Sequence, residues 1–220
     1  MSVYSIAIDG PAGAGKSTVA KVIAKRLNLT YVDTGAMYRA ITLKALEKGS
    51  LKKEEVIKIA EESIIEIKEG RVYLDGRDVT EEIRKPSIDE KVSLIASIPQ
   101  VRNRLVEIQR KMAENYGVVM DGRDIGTTVL PNAKYKFFLT ADLKVRAKRR
   151  YEELVNKGIK TDLKKVEEEL TKRDKQDMER EHSPLKVAED AVIIDTSDKT
   201  PEEVVEEILS YIKRREKNVL

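Results

Sequence analysis

Near the N-terminus, the run Gly10-Pro11-Ala12-Gly13-Ala14-Gly15-Lys16-Ser17 places three glycines ahead of a lysine and a hydroxyl. It fits G-x-x-x-x-G-K-[ST], a spacing whose chemistry is phosphate binding. The glycines let the backbone curl so that consecutive N–H groups point inward, and a helix beginning at the loop's end adds its positive N-terminus. Lys16 can reach the β- and γ-phosphates of a nucleoside triphosphate, the Ser17 hydroxyl can ligate Mg2+, and Thr18 continues the loop. A second acidic locus lies far downstream. Gly117-Val118-Val119-Met120 is an apolar run ending in Asp121, where a carboxylate would stand near Mg2+ and its waters. Gly122-Arg123-Asp124 follows at once. Arginine then recurs in patterns. Arg146, Arg149 and Arg150 are spaced i, i+3, i+4, and Arg173, Asp177 and Arg180 are spaced i, i+4, i+7, so each set shares a helix face. Either face alone reads as a solvated basic helix. Beside a phosphate loop, two such faces suggest guanidiniums gathered around a transferring phosphate.

Three other strings carry less. Thr171-Lys172-Arg173-Asp174 matches the base-reading N/T-K-x-D of switch GTPases, but no apolar strand precedes it and it sits inside a charged helical stretch, so it reads as a chance match. His182, the lone histidine, stands beside Ser183-Pro184 and reads as a surface side chain. Transfer between phosphates needs no such base, because catalysis there is mostly positioning and charge stabilisation. Asp75-Gly76-Arg77-Asp78 repeats the string at Asp121, but reads as hairpin turn chemistry.

The elements that must hold these groups follow from periodicity. Val3 to Ile8 reads as a buried strand, and Val19, Val22, Ile23 and Leu27 form one helical stripe behind the glycine loop. Thr30 to Val32 is a second strand, leading into Asp33-Thr34-Gly35 and a helix that carries Arg39. Gly117 to Met120, Lys136 to Leu139 and Ala191 to Ile194 are further strands, with helices at Leu143 to Asn156 and Glu202 to Arg214. Alternation of this kind predicts an α/β fold with a parallel sheet and helices on both faces. Ser63 to Ile67, Arg71 to Leu74 and Arg77 to Thr80 break the rhythm. Joined through Glu69-Gly70 and Asp75-Gly76, they predict a small antiparallel insertion over 56–93, leaving 1–55 and 94–220 as the core. The charged stretch Asp162 to Glu181 looks helical without a broad apolar stripe and suits a lid at about 157–182.

Composition excludes several classes. The 220 residues carry a net charge of only +3 although 37% are charged, which argues against a general nucleic-acid binder. There is no cysteine, so neither disulfides nor thiolate metal sites arise. No apolar run approaches the ~20 residues needed to span a bilayer. Met1 to Asp9 lacks the basic and long apolar segments of a signal peptide. The expectation is a monomeric cytoplasmic protein with no membrane and no nucleic-acid partner.

The runs Ile8 to Thr18, Asp33 to Arg39, Ser93 to Arg102 with its Ile-Pro turn, Asp121 to Thr127 and the Arg173/Asp177/Arg180 set together resemble bacterial cytidylate kinases, in the same order along nearly the whole chain. That resemblance implies a P-loop NTPase fold with an enlarged monophosphate-side insertion and a mobile lid. It implies transfer of the γ-phosphoryl group of ATP to CMP or dCMP with Mg2+. Gly10 to Thr18 would hold ATP–Mg2+. Arg39, Arg123 and Arg180 would bind the CMP phosphate with Thr34 near them. Ser93, Arg102 and Asp124 would read cytosine, and Arg173 and Asp177 would reach the sugar. Arg146, Arg149 and Arg150 would stabilise the transferring group at the lid hinge, and the insertion and lid would close over both substrates to exclude water. Other acceptors, UMP or AMP, and a regulatory P-loop ATPase remain the alternatives.

Overall fold

In the computed structural model, which describes residues 4–68, 70–114 and 117–217, the strand ahead of the glycine loop lies at the centre of the main sheet. This strand, β1 (Ser5–Asp9), is followed by α1 (Lys16–Leu27), β2 (Thr30–Asp33) and α2 (Thr34–Glu47). Later in the chain come β6 (Val118–Gly122), β7 (Tyr135–Thr140), α6 (Leu143–Asn156), α7 (Leu163–Met178), β8 (Val192–Asp195) and α8 (Pro201–Lys217). The sheet order is β2-β6-β1-β7-β8, with β1 parallel to both β6 and β7, and β7 parallel to β8. The parallel α/β expectation therefore holds. Val3 of the expected first strand and Glu69 of the expected hairpin turn lie outside the described residues.

Chain contacts divide the molecule into two compact units, residues 1–31 with 117–220, and residues 32–116. In the first, Ile6 and Ile8 of β1 and Phe137 and Leu139 of β7 bury against Val19 and Ile23 of α1 and Val205 and Ile208 of α8. Alternation along a strand sends Ile6 and Ile8 to one face of the sheet and Asp9 to the other. A smaller cluster joins Ala12 of the glycine loop to Ala147 and Leu154 of α6 and Val166 and Leu170 of α7. The charged helix α7 thus has a narrow apolar stripe after all.

The second unit holds α3 (Lys53–Glu62), an antiparallel sheet of β3 (Ile65–Lys68), β4 (Arg71–Leu74) and β5 (Arg77–Asp78), then α4 (Pro86–Ala96) and α5 (Pro99–Glu114). The hairpin turn has φ 51° at Asp75 and 82° at Gly76, the double positive φ that Asp-Gly favours. Two expected strands are shorter than their patterns. Ser63 is instead the C-cap of α3, its hydroxyl donating to Ile59 O at 2.5 Å. Asp78 Oδ1 accepts from both the N–H and the hydroxyl of Thr80, turning the chain at the end of β5. This unit is wider than the 56–93 segment, because Met37 and Ile41 of α2 and Val101 and Leu105 of α5 share its core.

Candidate active site

The glycine loop is built by close approach. Gly10 has φ 145°, and a Cβ there would stand 2.0 Å from Leu139 O. Gly13 has φ 78° and lies against Arg146, whose Cβ would be 3.0 Å from an added methyl. Gly15, in the left-handed region, caps α1. Lys16 is buried, and its Nζ donates to Pro11 O at 2.7 Å, across the loop. Burial drives its ammonium pKa down, Arg123 and Arg173 push the same way, and Asp121 and Asp9 oppose them. A buried cation among cations calls for an anion, and a nucleotide's phosphates would supply one.

Ser17 and Asp121, expected to share Mg2+, are brought together. The Ser17 hydroxyl donates to Asp121 Oδ2 at 2.8 Å, and the Tyr31 hydroxyl donates to Oδ1, also at 2.8 Å. Parallel pairing of β1 with β6 sets Asp121 level with Ile8, one residue before the loop's strand ends. A hydroxyl and a carboxylate are hard oxygen donors that suit Mg2+, which usually keeps waters and substrate phosphates as its other ligands. Among the described residues no cluster of three or more His, Cys, Asp or Glu forms a closed metal cage. Tyr31 was not anticipated; its only trace in the sequence is a polar-tipped residue in a short strand.

Arg146, Arg149 and Arg150 do not converge on one point. Arg146 is buried, donating to Ala12 O of the loop at 3.0 Å, to Ala141 O at 2.9 Å and to Asp174 Oδ2 at 2.6 Å. Arg149 instead holds Thr196 through its carbonyl at 2.6 Å and its hydroxyl at 3.0 Å. Arg150 pairs with Glu153 on the surface. Spacing on one face therefore separates into one guanidinium bracing the loop and two turned elsewhere.

Arg123 Nε donates to Asp177 Oδ2 at 2.8 Å, and Arg180 stands 3.7 Å from Asp177 Oδ1. The single helical face expected for Arg173, Asp177 and Arg180 needs correction. Helix α7 ends at Met178 with Glu179 as its cap, so Arg180 lies beyond it. A turn brings it back: Arg180 donates to Ser183 O at 2.9 Å, and Leu185 N–H to Asp177 O at 2.8 Å. Burial would raise the Asp177 carboxyl, but Arg123, Arg173 and Arg180 together hold it below the ordinary carboxylate value. A lowered folded pKa means stability that is present above the unfolded value and lost as pH falls through the folded one. Asp177→Asn should then cost about 3 kcal/mol at neutral pH, the scale for removing one partner of a buried pair. Thermal melts of both proteins should converge as the pH falls below 4, the unfolded carboxylate range (~3.9). A gap independent of pH would contradict the ion-pair account.

Asp124 is buried at the end of this segment, and its carbonyl accepts from Thr128 and Val129 N–H at 2.8 and 3.1 Å. The groups expected from the second unit are all placed there. Asp33 caps α2 through Ala36 N–H at 2.9 Å and pairs with Arg84, with Thr34 buried as the helix's first residue. Arg39 pairs with Asp89 at 2.5 Å. Arg102 is buried, donating to Ala96 O at 3.1 Å and lying 5.3 Å from the Tyr38 ring centroid. Ser93 is half-buried on α4. His182 is exposed, and the Thr171 to Asp174 string lies within α7.

A phosphate loop between the central strand of a parallel sheet and its helix, with a hydroxyl–carboxylate pair beside it, defines a P-loop nucleotide-binding fold. Solved structures share the fold: a gluconokinase from Sinorhizobium meliloti 1021 (TM-score 0.52, 17% identity, covering 99% of this chain and 95% of that one) and a shikimate kinase from Bacteroides thetaiotaomicron (0.51, 12%, 96% and 98%). The chain belongs to the cytidylate kinase family, whose profile matches residues 6–214. Among its curated relatives, the cytidylate kinase of Caldanaerobacter subterraneus subsp. tengcongensis is 59% identical over 214 residues, 96% of each chain. That of Clostridioides difficile (strain 630) is 53% identical over 209 residues, 94% of this chain and 97% of its own.

Proposed function

We propose that this chain transfers the γ-phosphoryl group of ATP to CMP or dCMP, giving ADP and CDP or dCDP. The observation that carries the reading is the Lys16, Ser17 and Asp121 arrangement at the loop, in a chain of this family. In the reaction a CMP phosphate oxygen, already anionic, attacks the γ-phosphorus, and the bond to the β,γ-bridging oxygen breaks with its electrons leaving on ADP. No general base is required. Backbone N–H groups of Gly10 to Thr18 bind the ATP phosphates, and the Lys16 ammonium follows the charge that develops on the β- and γ-oxygens. Ser17 and Asp121 would hold Mg2+, which when bound would supply neutralisation of the phosphate charge.

Arg39 of the second unit and Arg123 and Arg180 of the first are assigned to the CMP phosphate, with Thr34 nearby. Ser93, Arg102 and Asp124 are assigned to the base, and Arg173 and Asp177 to the sugar. Arg149 and Arg150 are kept as groups for the transferring phosphate once ATP binds. Arg146, held by the loop carbonyl, contributes by setting that loop. Among the described residues no helix is long and apolar enough to cross a membrane; the proposed setting is a monomer in the cytoplasm.

Initial rates with ATP against CMP, dCMP, UMP and AMP test the assignment, with CMP and dCMP expected to dominate. Equal rates for all four would overturn it. Arg180→Ala should weaken CMP at least ~10-fold, the scale of a lost charge-assisted contact, while ATP affinity stays within about twofold. Separate titrations of the two nucleotides read this, and a loss confined to ATP would move Arg180 to the donor side.

A further inference from the structure

Asp9 is the last residue of β1 and directly precedes Gly10. Its carboxylate is buried, and each oxygen accepts one backbone hydrogen bond: Oδ1 from Ile125 N–H and Oδ2 from Gly126 N–H, both at 2.8 Å. The partners lie more than a hundred residues away, immediately after Arg123 and Asp124. They open a single π turn, Ile125–Val129, whose first N–H groups have no partner within the turn itself. Strand pairing alone brings Asp9 level with Gly122; the carboxylate then carries the connection past the strand's end.

A fold that only needed to finish β1 could do so with an apolar residue and avoid burying a charge. Burial pushes the Asp9 carboxyl up to about 6, the two amides pull it back, Asp124 raises it and Lys16 lowers it. With one backbone N–H on each oxygen, the geometry is that of a double acceptor, which favours the ionised form. The other side of the contact is equally tight. A Cβ on Gly126 would stand 3.1 Å from Lys136 Cδ and 3.4 Å from Asp9 Oδ2, so a methyl crowds the Lys136 chain and just touches the carboxylate, while a larger side chain would have to displace one of them.

We infer that Asp9 is a positioning residue that clamps the Ile125–Gly126 backbone and thereby sets Arg123 and Asp124 relative to the phosphate loop. One residue thus adjoins the loop that takes the donor and is hydrogen-bonded to the segment that takes the acceptor. The inference rests on the proposed CMP-reading roles of Arg123 and Asp124.

Asp9→Asn keeps the side chain's size and one acceptor oxygen but turns an NH2 against an amide N–H. It should raise the KM for CMP about 10-fold, as for losing a hydrogen bond to a charged group, and shrink the CMP/UMP efficiency ratio. The dissociation constant for ATP should stay within about twofold. Gly126→Val, whose larger side chain must displace Lys136 or the Asp9 carboxylate, disturbs the clamp from the far side, away from the loop, and should give the same signature; it decides the matter if Asp9→Asn fails to fold. Equal weakening of ATP and CMP, or a lower melting temperature with unchanged KM and CMP/UMP ratio, would overturn the positioning role. Wild-type rates are measured first. An enzyme with no preference for CMP removes the parent assignment as well, which separates that failure from failure of the clamp alone.

Discussion

Replacing Lys16 with Ala should lower kcat at least ~10²-fold while the protein remains folded, the scale for removing one preorganised electrostatic stabiliser. The ammonium is buried within the loop and donates to Pro11 O, a contact it would exchange for a phosphate oxygen. Charge on the bridging and γ-oxygens grows toward the transition state, so the contact strengthens there, and the loss belongs in kcat more than in ATP affinity. Loss of fold is not expected. Removing a cation whose ionised form burial and Arg123 both disfavour relieves a repulsion within the unliganded protein. Single-turnover rates with a thermal melt alongside separate the two effects. A folded Lys16→Ala enzyme with near-normal turnover would refute the phosphate-loop assignment.

Asp124→Asn should change which base is accepted. Cytosine offers a 4-amino donor beside the N3 and O2 acceptors, whereas uracil offers an O4 acceptor and an N3–H donor. In the proposed assignment a buried carboxylate at Asp124 would accept from the amino group, with Arg102 and Ser93 meeting the remaining edge. Facing uracil it would meet O4 with no proton between two acceptors, an unpaired contact that typically costs a few kcal/mol, about 10²-fold in selectivity. The amide can donate to O4. CMP efficiency should therefore fall sharply and the CMP/UMP ratio shrink. If Asp124 only positions a neighbouring arginine, both substrates should lose by similar factors, and an unchanged ratio would end the base-reading role.

Local signals in the sequence carry the frame. The strand–loop–helix at Ser5 to Leu27, the Asp75-Gly76 hairpin and helix α6 from Leu143 to Asn156 all follow from periodicity and turn chemistry. The Ser17–Asp121 pair was legible because a motif names one partner and an apolar strand ending in an acid names the other. Long-range partners were not. Helical spacing puts Arg146, Arg149 and Arg150 on one face but cannot say that Arg146 turns inward to Ala12 and Asp174 while Arg149 turns to Thr196. Asp174 itself lay in a string set aside as a chance match, and its burial against Arg146 is a tertiary fact. Arg180 misled because spacing continues smoothly past Met178, where the helix stops. Asp9 left a faint trace, an acid closing an otherwise apolar strand, whose meaning depends on amides 116 and 117 residues away.

ATP held at the loop should pass its γ-phosphoryl group to a nucleoside monophosphate. ATP labelled in the γ-phosphate, incubated with the protein and CMP, tests this most directly when nucleotides and inorganic phosphate are separated and counted. Label in CDP should equal the ADP formed, with little ADP formed when CMP is omitted. Label appearing as inorganic phosphate at a rate indifferent to CMP would identify an ATPase and contradict it.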